Sequence, residues 1–140
     1  MIDGTVVLLP TTDDHLMGLR GRFLNATFPT LDVVSTEGPA ATEAARICAA
    51  ITAEAPNPPL TIVAFGASAM LLPAIALAQR SAHRQVREYL LIEPALPAVS
   101  DAWPDAHVTV FSAVSQPQAR LRGWTVLPLQ SAEVWEPAEA

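Results

Sequence analysis

"TIVAFGASAMLLPAIALAQR", residues 61–80, is the stretch on which the fold turns. It opens on an unbroken apolar run, Thr61 to Phe65, of strand length and with β-branched Ile62 and Val63. Gly66 breaks the run. The residues that follow, "SAMLLPAIALAQRSA" (68–82), are apolar nearly all round and long enough for a buried helix. A strand without alternation that turns through glycine into a helix belongs at the centre of a sheet covered on both faces. Ser68 lies close to the turn, where many enzymes set a nucleophile.

Five more short apolar runs read as strands: "TVVLLP" (5–10), "LDVVST" (31–36), "EYLLIE" (88–93), "VTVFS" (108–112) and "TVLPL" (125–129). Helical spacing fills the gaps. "ATEAARICAAITAEA" (41–55) puts Ala44, Ile47, Cys48 and Ile51 on one stripe. "LMGLRGRFLNAT" (16–27) is weakened by two glycines, and "QPQARLRG" (116–123) is short and ended by Gly123. This alternation predicts an α/β three-layer sandwich with a mostly parallel, six-stranded sheet in one domain over 1–140. The proline-rich connection 93–107 is too short for a lid domain. In open sheets of this kind ligands bind beyond the carboxyl ends of the strands. The residues to follow are therefore Thr11 to His15, Thr36 and Glu37, Phe65 to Ser68, Glu93, Ser112 to Ser115 and Gln130 to Glu133.

Composition narrows the partners. Of 140 residues 51% are hydrophobic and 16% charged, which argues for a packed core. The net charge is −6, and the eight basic residues, all arginine, form no stripe, so no nucleic-acid partner is expected. No apolar run approaches the ~18 residues of a membrane span. "MIDGTVVLLP" has an acid, not a base, ahead of its apolar run, so no signal peptide is read and a cytoplasmic location is expected. Cys48 is the single cysteine and sits at helical core spacing as a small hydrophobe. His15, His83 and His107 are far apart and no ligand pattern joins them, so no metal is expected. "FGASA" is not a phosphate-binding glycine motif, and no cofactor is expected.

Five segments carry a resemblance, in this order: "AFGASAMLLP", "YLLIEPALP", "AWPDAHVTVFSA", "ARLRGWTVLPL" and "QSAEVWEP". Together, over residues 60–137, they resemble the C-terminal half of an α/β-hydrolase. The match is to small serine hydrolases whose elbow reads roughly G-H-S-G-A-G-P-L-L-P. The first sixty residues match by element order alone, and the first two strands of the family's sheet are missing. The resemblance implies the sheet order 2-1-3-4-5-6 in this chain's own numbering. Strand 31–36 would then be an exposed edge, and a homodimer through it is expected. Relatives repurposed for non-hydrolytic steps occur in secondary metabolism, so that setting is implied as well.

The catalytic triad does not carry over whole. An elbow needs small residues two before and two after its nucleophile. With Ser68 as nucleophile the flanks are Gly66 and Met70, and the methionine is too large. With Gly66 at the apex the flanks are Ala64 and Ser68, both small, and "LLP" aligns without a gap. That register favours Gly66 where the family has its serine and Phe65 where it has histidine. No histidine follows the last strand; Ala132 or Glu133 stands there. The family's acid falls in "SAVSQP", which is not acidic, although Glu93 after the fourth strand could substitute. A carboxylate at the end of an apolar strand must be paired, hydrated or protonated. His15 in "PTTDDHL" follows the first strand, where Thr12, Asp13 or Asp14 also fits as a helix cap. His83 suits a helix C-terminus, His107 the opposite end of the sheet, and Trp103, Trp124 and Trp135 suit packing.

Three expectations follow. The first is a degenerate α/β-hydrolase that binds an apolar small molecule in a pocket lined by Phe65, Gly66, Ser68 and Glu93. Cyclase or isomerase chemistry on backbone donors and a carboxylate would suit it. The second is a serine hydrolase using Ser68 with His15 or with a residue supplied by a partner. The third is a non-catalytic binding or assembly subunit. The catalytic candidates are Glu93, His15 and Ser68. The ligand-binding candidates are Thr11, Thr12, Phe65, Gly66, Ala67, Ser115 and Glu133.

Overall fold

The computed structural model describes residues 4–34, 38–98, 100 and 103–137. Six strands form one parallel sheet: β1 (Thr5–Leu8), β2 (Thr30–Asp32), β3 (Leu60–Phe65), β4 (Val86–Ile92), β5 (His107–Ser112) and β6 (Thr125–Pro128). Their order is β2-β1-β3-β4-β5-β6, so the direction of winding reverses between β1 and β3. Four helices flank the sheet: α1 (Asp14–Leu24), α2 (Glu43–Glu54), α3 (Leu72–Ser81) and α4 (Pro117–Leu121). This is the three-layer α/β sandwich that the strand–helix alternation predicts, and among the described residues there is no lid domain.

The strands are apolar in unbroken runs because both their faces are covered. Val7, Leu9, Ile62, Ala64, Tyr89 and Leu91 pack on one side against Ile47 and Ile51 of α2, Leu72 and Ile75 of α3 and Ala119 of α4. Their neighbours Val6, Leu8, Val63, Phe65, Leu90 and Ile92 face the other side and meet Leu16 and Phe23 of α1. Alternate residues thus enter different cores, which is why no polar period shows in the sequence. Each core has its aromatic cluster. Phe23, Phe28, Phe65 and Trp135 meet edge-on or tilted on the α1 side. Tyr89, Trp103 and Trp124 do so on the other side.

Three expectations are corrected. β2 is three residues long rather than six; Ser35 and Thr36 of the expected strand, with Glu37, lie outside the described residues. The segment expected as one helix over 68–82 is a 3-10 turn, Gly66–Leu71, that continues into α3. Pro73 sits in the first turn of α3, where its missing N–H is no loss. And the segment is not buried all round: Met70 in the 3-10 turn and Leu77 in α3 are about half exposed, at 52% and 53%. The sheet covers only one side of an outer-layer helix.

A charged residue holds α1 to the sheet. Arg20 falls on the buried stripe Leu16–Arg20–Phe23. Its guanidinium donates to the carbonyls of Leu9 (2.9 Å), Leu8 (3.3 Å) and Val33 (2.9 Å), and to Asp32 at 2.6 Å. These acceptors lie at the carboxyl ends of β1 and β2. The Leu8 carbonyl also accepts from the Val33 N–H (3.1 Å), so the guanidinium chiefly supplies a partner to the Leu9 and Val33 carbonyls where the two strands part.

Candidate functional site

Both polar turns that matter follow central strands. After β3, Gly66 has φ +58, a left-handed conformation that favours glycine, and the 3-10 turn begins there. This places the apex of the turn at Gly66, with Ala64 and Ser68 as its flanks. The Ser68 side chain folds back onto the strand end. Its Oγ accepts from the Phe65 N–H at 2.8 Å and donates to the Phe65 carbonyl at 3.0 Å. Its single proton is committed to a main-chain carbonyl, and Ser68 is buried. The hydroxyl fastens the turn.

After β4, Glu93 also takes a positive φ, +46, which a non-glycine residue rarely adopts. Its N–H donates to the Phe111 carbonyl (2.9 Å), and its Oε1 accepts a short hydrogen bond from the Ala113 N–H. The carboxylate is therefore paired with main chain at the end of β5. One oxygen is engaged, and the group remains half-buried. Ala95 N–H donates to the Gly66 carbonyl (3.1 Å), which ties the two turns together.

These turns open into two clefts rather than the one pocket expected. Leu16 lines only the second, and its Cδ1 lies 3.4 Å from where a Cβ on Gly66 would stand. The first cleft, about 390 Å³, sits at the reversal between β1 and β3. Pro10, Thr11, Thr12 and Asp13 line it from the β1 side, Phe65, Ala67, Ser68 and Leu71 from the β3 side, and Glu43 and Arg46 from α2. Much of its polarity is already spent. Thr11 Oγ1 accepts from the Asp13 N–H (3.1 Å), and Asp13 caps α1 through the His15 N–H (2.9 Å). Arg46 donates to the Pro39 carbonyl (2.8 Å) and, through a short contact, to Thr42 Oγ1.

The second cleft, about 760 Å³, lies on the α1 side beyond the ends of β4, β5 and β6. His15, Leu16, Gly18, Leu19 and Arg22 line it from α1, Glu93 and Ala113 from the turns after β4 and β5. Leu129, Gln130 and Glu133 come from the 3-10 turn Leu129–Val134 that follows β6. The cleft has an apolar wall of leucines and a polar group of one histidine, one arginine and two glutamates. Arg22 is held by donation to the Trp135 carbonyl (3.0 Å) and by its position over the Phe23 ring, 5.3 Å from the centroid.

The catalytic candidates thus divide. His15 and Glu93 share the second cleft with Glu133, whereas Ser68 lies in the first with Thr11, Thr12, Phe65 and Ala67. Gly66 stands between, and Ser115 is exposed and lines neither. Thr36 and Glu37 lie outside the described residues. Arg22, Leu19 and Gly18 were not among the residues to follow after the strands. Their signal was helical: His15, Leu19 and Arg22 recur at the spacing of one face of α1.

The other titratable groups lie elsewhere. His83 has φ +57 just after α3, where its N–H donates to the Arg80 carbonyl. His107 opens β5 at the amino end of the sheet, 3.4 Å from Thr125 Oγ1. The buried Tyr89 hydroxyl donates to Asp105 (2.6 Å). Burial, then the Asp105 carboxylate, push its pKa far up. Burial also raises the Cys48 thiol, against the pull of Arg84. Among the described residues no group of three or more His, Cys, Asp or Glu could hold a metal, and no helix is long and apolar enough to cross a membrane. No protein-family model matches the chain, and no curated protein matches it.

Proposed function

We propose that this chain is an α/β-hydrolase-like protein that has left ester hydrolysis. In this reading it binds a small molecule in the cleft beneath α1 and acts on it, where it acts, by proton transfer. The observation that carries the reading is the convergence of His15, Arg22, Glu93 and Glu133 on that cleft from α1, the β4 turn and the turn after β6. The elbow meanwhile has glycine at its apex. The ligand is amphipathic: an apolar body against Leu16, Leu19 and Leu129, and a polar end at His15 and Glu93. Arg22, fixed by Trp135, supplies a permanent charge for an anionic or carbonyl oxygen. Histidine and carboxylate at one site suit isomerisation or cyclisation, which move protons without a covalent intermediate.

The serine-hydrolase alternative needs a base beside Ser68. His15 lines the other cleft, and the Ser68 proton is held by the Phe65 carbonyl. A fluorophosphonate probe separates the two readings. The expected outcome is no labelling of the folded protein. Labelling that disappears in Ser68→Ala would overturn the proposal and establish the hydrolase.

A further inference from the structure

The charge of Arg22 in the second cleft is unmatched by any acid in contact with it. Its Nη1 donates to the Trp135 carbonyl (3.0 Å), and the guanidinium lies over the Phe23 ring. Nε and Nη2 have no acceptor among the described residues, and the ion pairs among those residues, Arg20–Asp32 and Arg80–Asp105, involve other side chains. Nε and Nη2 share one edge of the guanidinium plane. Two parallel N–H groups on one edge match the two oxygens of a carboxylate. Because Trp135 and Phe23 already hold the half-buried side chain, little of its freedom is left to lose on binding.

Taking the second cleft as the ligand site, as the reading above does, we propose that its ligand is a medium-chain carboxylic acid with a hydroxyl or carbonyl oxygen at the far end. The free edge of Arg22 holds the carboxylate, and the far oxygen lies at His15 and Glu93.

The course of α1 sets the length. The helix starts beyond the carboxyl end of β1 and runs back along the sheet, so His15 stands level with the strand ends and the Glu93 turn. Arg22 stands seven residues on, about 10 Å further down the helix. Leu19 lies between them on the same face, and Leu129 faces it from the turn after β6. At the Arg22 end Trp135 closes the groove against Phe23. A saturated chain of about eight carbons covers that span, at about 1.5 Å per bond less its zigzag.

Charge sets the direction and the kind of anion. At the far end Glu93 has one oxygen on the Ala113 N–H, and the other accepts from a hydroxyl and repels a second anion. His15 offers a ring N–H to a carbonyl oxygen. Glu133 also lines the cleft, but it is exposed, where water and salt screen it. One arginine facing two glutamates suits a single negative charge; a phosphate, with nearly two, meets more repulsion than one guanidinium offsets.

Titration followed by amide NMR tests the proposal, with ω-hydroxyoctanoate, octanediol and ω-aminooctanol as probes. Shifts should fall on Leu19, Arg22 and Ala113. The hydroxy acid should bind at least about tenfold tighter than the uncharged diol of the same length. Arg22→Gln should remove that advantage and leave octanediol binding unchanged, which a misfolded variant could not do. Arg22→Lys should restore only part of it, because lysine brings a charge without the edge. Among hydroxy acids, affinity should rise about threefold per methylene up to about eight carbons and fall beyond about ten. Octanedioate should bind at least about tenfold more weakly than ω-hydroxyoctanoate and recover in Glu93→Gln. Equal affinity for the three probes, tightest binding of the amine, or affinity that climbs with length without a peak overturns the carboxylic-acid assignment while leaving the cleft a small-molecule site. If no probe shifts these amides, that reading of the cleft falls, and the proposal with it.

Discussion

β3 and β4 are neighbours, and each passes into its turn through a left-handed residue. At the end of β3 that residue is Gly66, φ +58; just after β4 it is Glu93, φ +46. Gly66 has no side chain, and Leu16 Cδ1 lies 3.4 Å from where a Cβ would stand. At Glu93 the chain keeps a full side chain, although the left-handed conformation costs a non-glycine residue about 1–2 kcal/mol. That strain is tolerated where the carboxylate has work to do: it binds the Ala113 N–H and lines the cleft with His15, Arg22 and Glu133. Two turns of like geometry thus differ in what they present: the first a buried serine bonded to its own main chain beside the first cleft, the second a carboxylate that lines the second.

The comparison breaks first if Gly66 tolerates bulk. Gly66→Val puts a β-branched side chain at positive φ, with its first carbon at ordinary contact distance from Leu16. A loss of about 3 kcal/mol is expected from the left-handed strain of a β-branched residue. Urea unfolding at constant m would measure it, and a loss under ~1 kcal/mol would mean the turn relaxes freely. Ser68→Ala comes next. It removes both bonds to Phe65 and leaves a buried N–H without its partner, so about 1–3 kcal/mol should be lost. Ligand affinity at the second cleft should not change. A variant with full stability but no binding or turnover would make Ser68 a working residue and reverse the roles of the two turns.

Much of this division was legible in the sequence. The unbroken run Thr61–Phe65 followed by glycine marks a strand covered on both faces, and the size rule moves the apex from Ser68 to Gly66, where the positive φ is found. Glu93 was legible too, as a carboxylate at an apolar strand end. The division into two clefts was not, because it depends on which residues of α1, α2 and the turn after β6 come together beyond the strand ends, and no local pattern encodes those contacts. Arg20 was hidden for a related reason. Its charge interrupts an apolar stripe, and only the parting of β1 and β2 supplies the carbonyls that make it a core residue. The exposed side of α3 was missed because apolar composition alone does not say how many faces a neighbour covers.

A finer test separates strain from side-chain function at Glu93. Glu93→Gly and Glu93→Ala both remove the carboxylate, and both should abolish ligand binding or turnover. They differ in the backbone. Glycine should be the more stable of the two by about 1 kcal/mol, because only alanine retains the left-handed strain. Equal stabilities by thermal and urea unfolding would show that the turn is unstrained, and the analogy with Gly66 would fail.

The smallest effect lies at the other end of the same strand. Glu88, near the amino end of β4, is half-buried and opposite His107 in the parallel register. Burial raises its pKa, against the opposing pull of His107 and then Arg87. A carboxyl whose pKa is raised on folding holds its proton to higher pH in the folded chain than in the unfolded one. Its stabilising contribution is therefore full below the ordinary carboxylate pKa of ~4.3 and is lost as pH rises through the raised native value. Glu88→Gln removes that loss. The variant should gain on wild type in unfolding experiments near neutral pH, and the gain should shrink toward pH ~4. Partial exposure keeps the difference below ~1 kcal/mol. A gain that instead grew in acid would mean that attraction to His107 and Arg87 outweighs burial. Glu88 would then be held as a charge, and β4 would have an engaged carboxyl group near both ends rather than at its cleft end alone, where Glu93 accepts from the Ala113 N–H.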